Sequence, residues 1–342
     1  MRAGQGLAFA LALLSSGAMA QTTHTILEFD ELQGWPDDDH DAALTVFRNT
    51  CMDFDTQDWS VLCDLAEEAT DGRSFFEMFF TPILIEDGDP MLFTGYFEPE
   101  LRGSLSPSER FRYPVYGVPP ELGEDPWLSR REIEETGILA DRDLEIAWVD
   151  DPVDLFFLQI QGSGRIRLPD GRFIRVGYGG ANKRPYTSVG TELIRRGVFE
   201  EHEVSAPVIR SWVQNNPILG QELLWANESY VFFREVSEVP ADRGPLGAMN
   251  RSITPMRSIA VDPSIVPLGA PVWIEKDGNE PMQRLMVAQD TGAAIKGAQR
   301  ADIFFGFGDR AGARAGTVKD GGRMVVLVPI QRAYAMLPEV LE

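Results

Sequence analysis

The chain has 342 residues, of which 44% are hydrophobic and 25% charged, a composition typical of a globular protein with one large domain or two smaller ones. Its formal net charge is −22, and its 31 basic residues form no basic block. Because phosphate binding needs clustered Lys and Arg, this charge pattern argues against nucleic acid as a partner.

Histidine and cysteine are too scarce for several familiar catalytic sites. The chain contains only His24, His40 and His202, and its only cysteines are Cys51 and Cys63. Zinc sites need clustered His and Cys ligands, and nucleophilic triads need a histidine beside the nucleophile. We therefore expect no metal and no cofactor, and carboxyl groups are the main candidates for chemistry.

The first twenty residues have the pattern of a secretory signal. Arg2 precedes the apolar run LAFALALL, and small residues end the segment at Ala20. We expect cleavage of residues 1–20 and a mature, exported chain that begins at Gln21. The apolar run is too short to span a bilayer. Since no cysteine stands near the cleavage site, no lipid anchor is expected.

Helical periodicity dominates the first part of the mature chain. We predict helices over 38–52 and 58–68, followed by an apolar segment over 72–85 that completes a helical lead-in. From residue 91 onward β-type residues and turn signals take over, so a domain boundary is expected between 98 and 103.

Cys51 and Cys63 fall in the two predicted helices and are disulfide candidates. Export brings a chain into an oxidising compartment, where a disulfide is permitted. The spacing alone does not decide between a disulfide and two buried thiols. If the bond forms, it joins the two helices and has no catalytic role.

The middle of the chain mixes strands and helices. Consecutive strands are predicted over 144–150 and 154–168, with the glycines that flank Ser163 forming a hairpin turn or bulge. The other predicted elements here are helices that begin near 188 and 205, a short helix that ends near 226, and a strand over 227–236.

After residue 246 short apolar runs alternate with proline and glycine, which suggests a barrel. Two of these runs, LMVAQD and ADIFFG, carry Asp290 and Asp302 and are joined by the loop TGAAIKGAQR. Bulky apolar neighbours should partly desolvate Asp302, raise its pKa and suit it to donate a proton. Either carboxyl can instead hydrogen-bond a turn, Asp290 especially, because Asp-Thr-Gly suits an Asx turn.

Polar residues that suit sugar hydroxyls alternate along the strand predicted over 154–168. Gln159, Gln161 and Ser163 share one face there, although such a row is equally typical of a solvated strand face. Tyr96 and Tyr178 are of a type that stacks on sugar rings. The glycine-rich turns lack the context of a phosphate loop, so a nucleotide is not expected. A single Asp-Thr-Gly lacks the second copy that an aspartic protease needs.

Six segments resemble, in order, the membrane-bound lytic transglycosylase A family, MltA, which is glycoside hydrolase family 102 with a C-terminal 3D-type domain. They run from about residue 94 to 316 and are GYFEPEL, FFLQIQGSGRI, GYGGANKRPYTSVG, NESYVFFRE, GAMNRSITPMRSIAVDPSIVPLG and MVAQDTGAAIKGAQRADIFFGFGDRAGARAG. The lead-in before residue 91 resembles the family only loosely.

The resemblance implies a mainly β fold with helices. It divides the mature chain into a double-psi β-barrel catalytic domain with the helical lead-in, 21–98 and 242–342, and an inserted smaller β-rich substrate-binding domain, 99–241. Peptidoglycan would lie in the groove between them. The expected location is the periplasm, with the protein soluble or peripherally associated with the outer membrane. The missing anchor cysteine departs from the family name.

The resemblance also implies a reaction and its residues. Lytic transglycosylases cleave the MurNAc-GlcNAc β-1,4 bond without hydrolysis and leave 1,6-anhydroMurNAc ends. The single catalytic aspartate of the family falls on Asp302, as acid and then base, with Asp290 and Asp262 in supporting roles. The loop between Asp290 and Asp302 is one residue longer than in a known member of the family. The expected substrate-binding residues are Thr94, Tyr96, Gln159, Gln161, Gly162, Ser163, Tyr178 and Lys296.

Two other functions stay open on the sequence. A hydrolytic muramidase would use Asp302 together with Asp290, and a non-catalytic peptidoglycan-binding barrel would use neither as a catalyst. The expected partner is the glycan strand of peptidoglycan, with proteins of cell-wall synthesis or division as further candidates. Neither nucleic acid nor a nucleotide is expected, and we expect a monomer.

Overall fold

The computed structural model describes residues 22–51, 57–240 and 243–335, so the predicted signal segment and Gln21 lie outside it. The strands are β1 Thr23–Ile26, β2 Phe80–Glu86, β3 Leu92–Glu98, β4 Glu100–Ser104, β5 Tyr113–Tyr116, β6 Glu145–Val149, β7 Gly164–Arg167, β8 Phe173–Ala181, β9 Val231–Glu235, β10 Ser258–Ala260, β11 Pro271–Lys276, β12 Met282–Asp290, β13 Arg300–Phe307, β14 Lys319–Asp320 and β15 Gly322–Pro329.

The helices of the same residues are α1 His40–Cys51, α2 Gln57–Glu68, α3 Gly72–Phe79, α4 Arg130–Thr136, α5 Pro152–Gln161, α6 Val189–Arg195, α7 Ala206–Asn215, α8 Pro217–Trp225, α9 Gly308–Ala315 and α10 Ile330–Ala335. Short 3-10 helices cover Phe29–Glu31, Trp35–Asp37 and Glu201–Glu203. Among the described residues, every helix falls short of the length and apolar character needed to cross a membrane.

Both ends of the chain build the larger sheet. Within the described residues it has nine strands in the order β1-β2-β15-β11-β12-β10-β13-β3-β14. Most neighbours are antiparallel, whereas β10 pairs with β12 and β13 with β3 in parallel. The buried side chains of Phe93, Trp273 and Ile303 belong to one core that this sheet shares with the N-terminal helices.

The smaller sheet uses only strands that lie between β3 and β10 in sequence. In the described part of the chain it has six strands, in the order β5-β6-β4-β7-β8-β9. The predicted fold of strands with helices, in which a smaller β-rich unit is inserted in a larger one, is therefore confirmed, and helices and strands contribute about equally to it. The boundaries placed at 98/99 and 241/242 stay a prediction, and the separation of the strands into two sheets supports them.

Helices α1, α2 and α3 form most of the predicted helical lead-in, whereas the end of its last predicted segment, residues 80–85, lies in strand β2 of the larger sheet. Their apolar faces meet in an aromatic cluster in which the ring of Phe47 lies 5.8 Å from those of Phe75 and Phe80 and 6.0 Å from that of Phe76. Cys51 and Cys63 are joined in a disulfide, with their Cα atoms 5.3 Å apart, which ties α1 to α2. In the chain-entropy model a loop this short contributes about 3 kcal/mol.

The strand predicted over 154–168 is wrong for most of its length, because residues 152–161 form helix α5. Asp151 caps this helix by accepting the backbone N–H groups of Val153 and Asp154, and Pro152 suits its first turn. Gly162 ends it in the left-handed conformation, with φ 75°. The apolar run packs against α6, α7 and α8, so tertiary burial decides between strand and helix.

A buried ionic cluster joins the two sheets. Glu98, the last residue of β3, accepts hydrogen bonds from Arg165 at 2.9 Å and from Arg175 at 3.2 Å. Both guanidinium groups also donate to the carbonyl oxygen of Arg243, at 3.1 and 2.7 Å, where the chain returns to the larger sheet. Burial raises the pKa of Glu98, against the opposing effect of the two arginines. Arg165 also lies 3.9 Å from the ring centre of Phe307 on β13.

We predict that Glu98→Gln lowers the free energy of unfolding by about 3 kcal/mol, because the substitution leaves two buried guanidinium groups without a counter-charge. The matched control is Glu100→Gln, which removes the partner of Arg167 at the surface and should cost less than about 1 kcal/mol. Urea unfolding at neutral pH measures both. Equal losses in the two variants would contradict the structural role of Glu98.

Candidate active site

The two strands predicted for LMVAQD and ADIFFG exist as β12 and β13, and β10 lies between them. Ala260 of β10 is the register partner of both Asp290 and Asp302, and Asp302 in turn pairs with Thr94 of β3. Thr94 pairs with Lys319 of β14. Register partners face the same side of a sheet, and strands are about 4.8 Å apart, so the two aspartate backbones lie about 10 Å apart.

Asp302 is partly buried in the middle of this row. Its neighbours Ile303 and Phe304 have no exposed surface. The hydroxyl of Thr94 donates a hydrogen bond of 2.6 Å to Oδ1 of Asp302. Burial raises the pKa of Asp302, while the Thr94 hydrogen bond and the positive charge of Arg300 oppose that rise. The carboxyl thus has the environment of a proton donor.

Asp290 is held by three hydrogen bonds. Tyr96 donates its hydroxyl to Oδ2 at 2.8 Å, and the backbone N–H groups of Ala248 and Thr291 donate to Oδ1 at 3.0 and 2.9 Å. Burial raises the pKa of Asp290 to about 6, although these hydrogen bonds favour the ionised form. The Tyr96 ring lies 5.3 Å from that of Phe304, so one aromatic pair connects the surroundings of both aspartates.

Asp262 anchors the loop between the two aspartates. Its Oδ1 accepts from the backbone N–H and hydroxyl of Ser264, at 3.1 and 2.7 Å, and its Oδ2 accepts from the N–H of Gly297 at 3.1 Å. Lys296 lies 3.6 Å away with an exposed side chain. Burial opposes ionisation, but these hydrogen bonds and the lysine outweigh it and lower the pKa of Asp262. Asp262 therefore supports the loop as a fixed negative charge.

Helix α5 places the two glutamines differently from the predicted strand face. Gln159 is buried beside Tyr230, so it does not face a groove. Gln161 accepts the backbone N–H of Phe97 at 3.1 Å and thereby connects α5 to β3. Gly162 ends the helix, and Ser163 follows it as a partly exposed residue. The proposed row of three polar side chains on one strand does not exist.

Two further residues belong to the insertion. The ring of Tyr178 on β8 is 58% exposed, as stacking on a sugar requires. Glu201, in the 3-10 helix that follows α6, pairs with Lys319. This ion pair bridges the insertion and β14, the edge strand of the larger sheet, at the register partner of Thr94.

Sequence reasoning did not single out Arg300 or the ion pair of Lys319. Arg300 could have been found, because it stands two residues before Asp302 on the same strand and therefore on the same face. Lys319 carried no such signal, since its position next to Thr94 depends on how the chain returns after α9.

Taken together, the fold and the site define a class: a protein of mixed helix and sheet, with two sheets and a partly buried pair of aspartates in the larger one. Comparison with known proteins agrees with it. Residues 92–234 match the MltA specific insert domain, and residues 257–328 match the 3D domain. The chain is 35% identical over 263 residues to the membrane-bound lytic murein transglycosylase A of Vibrio cholerae, covering 73% of this chain and 69% of that protein.

Solved structures give the same result. A membrane-bound lytic murein transglycosylase from Agrobacterium tumefaciens superposes with a TM-score of 0.82 at 32% identity, covering 92% of this chain and 99% of that one. Escherichia coli MltA with bound chitohexaose superposes with a TM-score of 0.71 at 31% identity, covering 85% and 89%. The chain belongs to the MltA family.

We predict that Asp290 makes stability depend on pH between about 4 and 6. Its pKa rises from 3.8 to about 6 on folding, so its contribution is fully present below pH 3.8 and is lost as the pH rises to about 6. Relative to Asp290→Asn, the wild type should lose up to about 3 kcal/mol across this range. Urea unfolding of both proteins at several pH values measures this loss. A difference in the free energy of unfolding that stays constant with pH would contradict the prediction.

Proposed function

We propose that this protein is a peptidoglycan lytic transglycosylase that cleaves the MurNAc-GlcNAc β-1,4 bond and leaves 1,6-anhydroMurNAc ends. Membership of the MltA family supports the activity and the substrate. The observation that carries the chemistry is Asp302, a partly buried carboxyl whose pKa is raised and whose Oδ1 is already bound by Thr94. Such a group can hold a proton until substrate arrives.

In this mechanism Asp302 acts first as an acid. Its proton passes to the glycosidic oxygen as the bond to C1 of MurNAc breaks, and positive charge develops on the sugar ring. The C6 hydroxyl oxygen of the same MurNAc then forms a bond to C1. The Asp302 carboxylate accepts the hydroxyl proton, which closes the anhydro ring and restores the acid. Because the nucleophile belongs to the substrate, one carboxyl suffices.

Asp290 is assigned a supporting role in this proposal. A hydrolytic muramidase would need a second carboxylate as nucleophile or water activator. Asp290 accepts three protein hydrogen bonds, one on Oδ2 and two on Oδ1, which favours positioning over attack. The charge of Asp302 contributes to the raised pKa of Asp290, since each carboxylate opposes a second charge nearby. Asp262 supports the same site through the loop that it anchors.

The glycan would lie along the face of the larger sheet that carries the aspartate row and continue over the insertion. Tyr178 is the candidate for stacking, and Lys296 and Ser163 are candidates for polar contacts. Thr94 is better explained as a partner of Asp302 than as a direct ligand of the sugar, because its hydroxyl is occupied by protein groups. Tyr96 and Gln161 likewise hold the site from within.

Export is part of the proposal, since peptidoglycan lies outside the cytoplasm. The signal-like pattern of residues 1–20 supports it. The Cys51–Cys63 disulfide supports it independently, because such bonds persist in oxidising compartments. A periplasmic location without a lipid anchor, a monomeric state and contacts with cell-wall synthesis or division proteins stay predictions.

We predict that Asp302→Asn lowers the release of anhydro ends from purified sacculi by at least about a hundredfold, because a general acid typically contributes that much. Asp290→Asn should still give anhydro ends at a reduced rate. The exposed Asp309→Asn serves as the matched control and should match the wild type.

Mass spectrometry of the soluble muropeptides distinguishes the alternatives. Anhydro ends that disappear only with Asp302 support the proposal. Reducing ends from the wild type would show hydrolysis, with Asp290 as the second carboxylate. Intact sacculi that still bind the protein would show a non-catalytic binding protein.

A further inference from the structure

Arg300 is anchored on the face of β13 that also carries Asp302. Its Nη1 donates to the carbonyl oxygens of Ala301 and Leu92, at 2.7 and 3.3 Å. Its Nη2 donates to Oγ1 of Thr94 at 2.9 Å, and Thr94 donates in turn to Oδ1 of Asp302 at 2.6 Å. The result is a directed chain of hydrogen bonds from a fixed cation to the carboxyl.

The direction of this chain follows from donor and acceptor chemistry. A guanidinium group has only donors, so Thr94 must accept from Arg300 through an oxygen lone pair. The hydroxyl of Thr94 has one proton, and the remaining partner for it is Oδ1 of Asp302. Oδ1 is therefore an acceptor and not the site of the acidic proton.

We propose that Arg300 is a positioning residue that acts through Thr94 to confine the transferable proton of Asp302 to Oδ2. A proton on Oδ1 would leave Thr94 accepting from both sides, with its own O–H without a partner in the chain. That arrangement loses a hydrogen bond in a partly buried site, which costs about 1 kcal/mol or more.

This inference rests on the proposed function and deepens it. With Oδ1 occupied by Thr94, the proton leaves from Oδ2 to the glycosidic oxygen and returns to Oδ2 from the C6 hydroxyl. A single oxygen then serves both steps, and both substrate oxygens must approach it. The positive charge of Arg300 also favours the carboxylate form, so it limits how far burial can raise the pKa.

The test compares Arg300→Met, Arg300→Lys, Thr94→Val and Thr94→Ser by the pH dependence of kcat/KM for release of anhydro ends. We predict that Arg300→Met and Thr94→Val each lower kcat by about tenfold or more, because the proton is no longer held in one place. The basic limb of the pH profile should move to higher pH, since each substitution removes a group that favours the carboxylate form of Asp302. Arg300→Lys and Thr94→Ser should largely restore both properties.

The double variant and a surface control complete the kinetic test. Because Arg300 acts through Thr94, the two substitutions together should lower kcat little more than Thr94→Val alone. Arg172→Met, at an exposed arginine between β7 and β8, should leave the profile unchanged. A wild-type profile in Arg300→Met, or additive losses in the double variant, would overturn the inference.

A second measurement separates this inference from the proposed function. The pKa of Asp302 can be followed by NMR of the carboxyl carbon in full-length protein without substrate. It should rise in Arg300→Met and in Thr94→Val and stay near the wild-type value in Arg172→Met. An unchanged pKa in both site variants overturns the inference even if the wild type is active. An inactive wild type with the expected pKa shifts overturns only the transglycosylase assignment.

Discussion

Strand β3 is the constraint on which the site depends, because it carries the contacts of both aspartates and the junction to the insertion. The hydroxyls of Thr94 and Tyr96 donate hydrogen bonds to Asp302 and Asp290. The backbone N–H of Phe97 donates to Gln161 of helix α5. Glu98 then ends the strand in the buried arginine cluster. A shift of β3 by one residue would turn each of these side chains to the opposite face. The cluster therefore fixes the register that assembles the site.

The three aspartates of the site differ because their surroundings differ. Burial dominates at Asp302 and Asp290 and raises both pKa values, whereas hydrogen bonds and a lysine dominate at Asp262 and keep it ionised. Asp290 has both oxygens bonded by the protein, and Asp302 is bonded by Thr94 through Oδ1. This asymmetry is the physical basis for assigning proton transfer to one carboxyl and support to the other two.

The local sequence pattern predicted an element correctly where one face of that element is apolar and where turn or helix-start residues stand at its ends. The strands that carry Asp290 and Asp302, and the helices that begin near 188 and 205, agree with prediction. Pattern was insufficient for α5, whose continuous apolar run suits a buried strand as well as a buried helix. Helix α9 was also missed, since its residues, GDRAGARA, combine two glycines with few apolar side chains.

The sequence by itself determined the β-type runs and turns of the C-terminal part, the placement of two aspartates on two successive apolar runs and, through the family resemblance, the residue assigned to catalysis. Only the tertiary structure decided which groups touch those carboxyls. Thr94 and Asp302 are 208 residues apart and Tyr96 and Asp290 are 194 apart, so their hydrogen bonds exist only once β3 has paired with β13. Strand register and the arrangement of the two sheets are collective results of packing, which no local segment encodes.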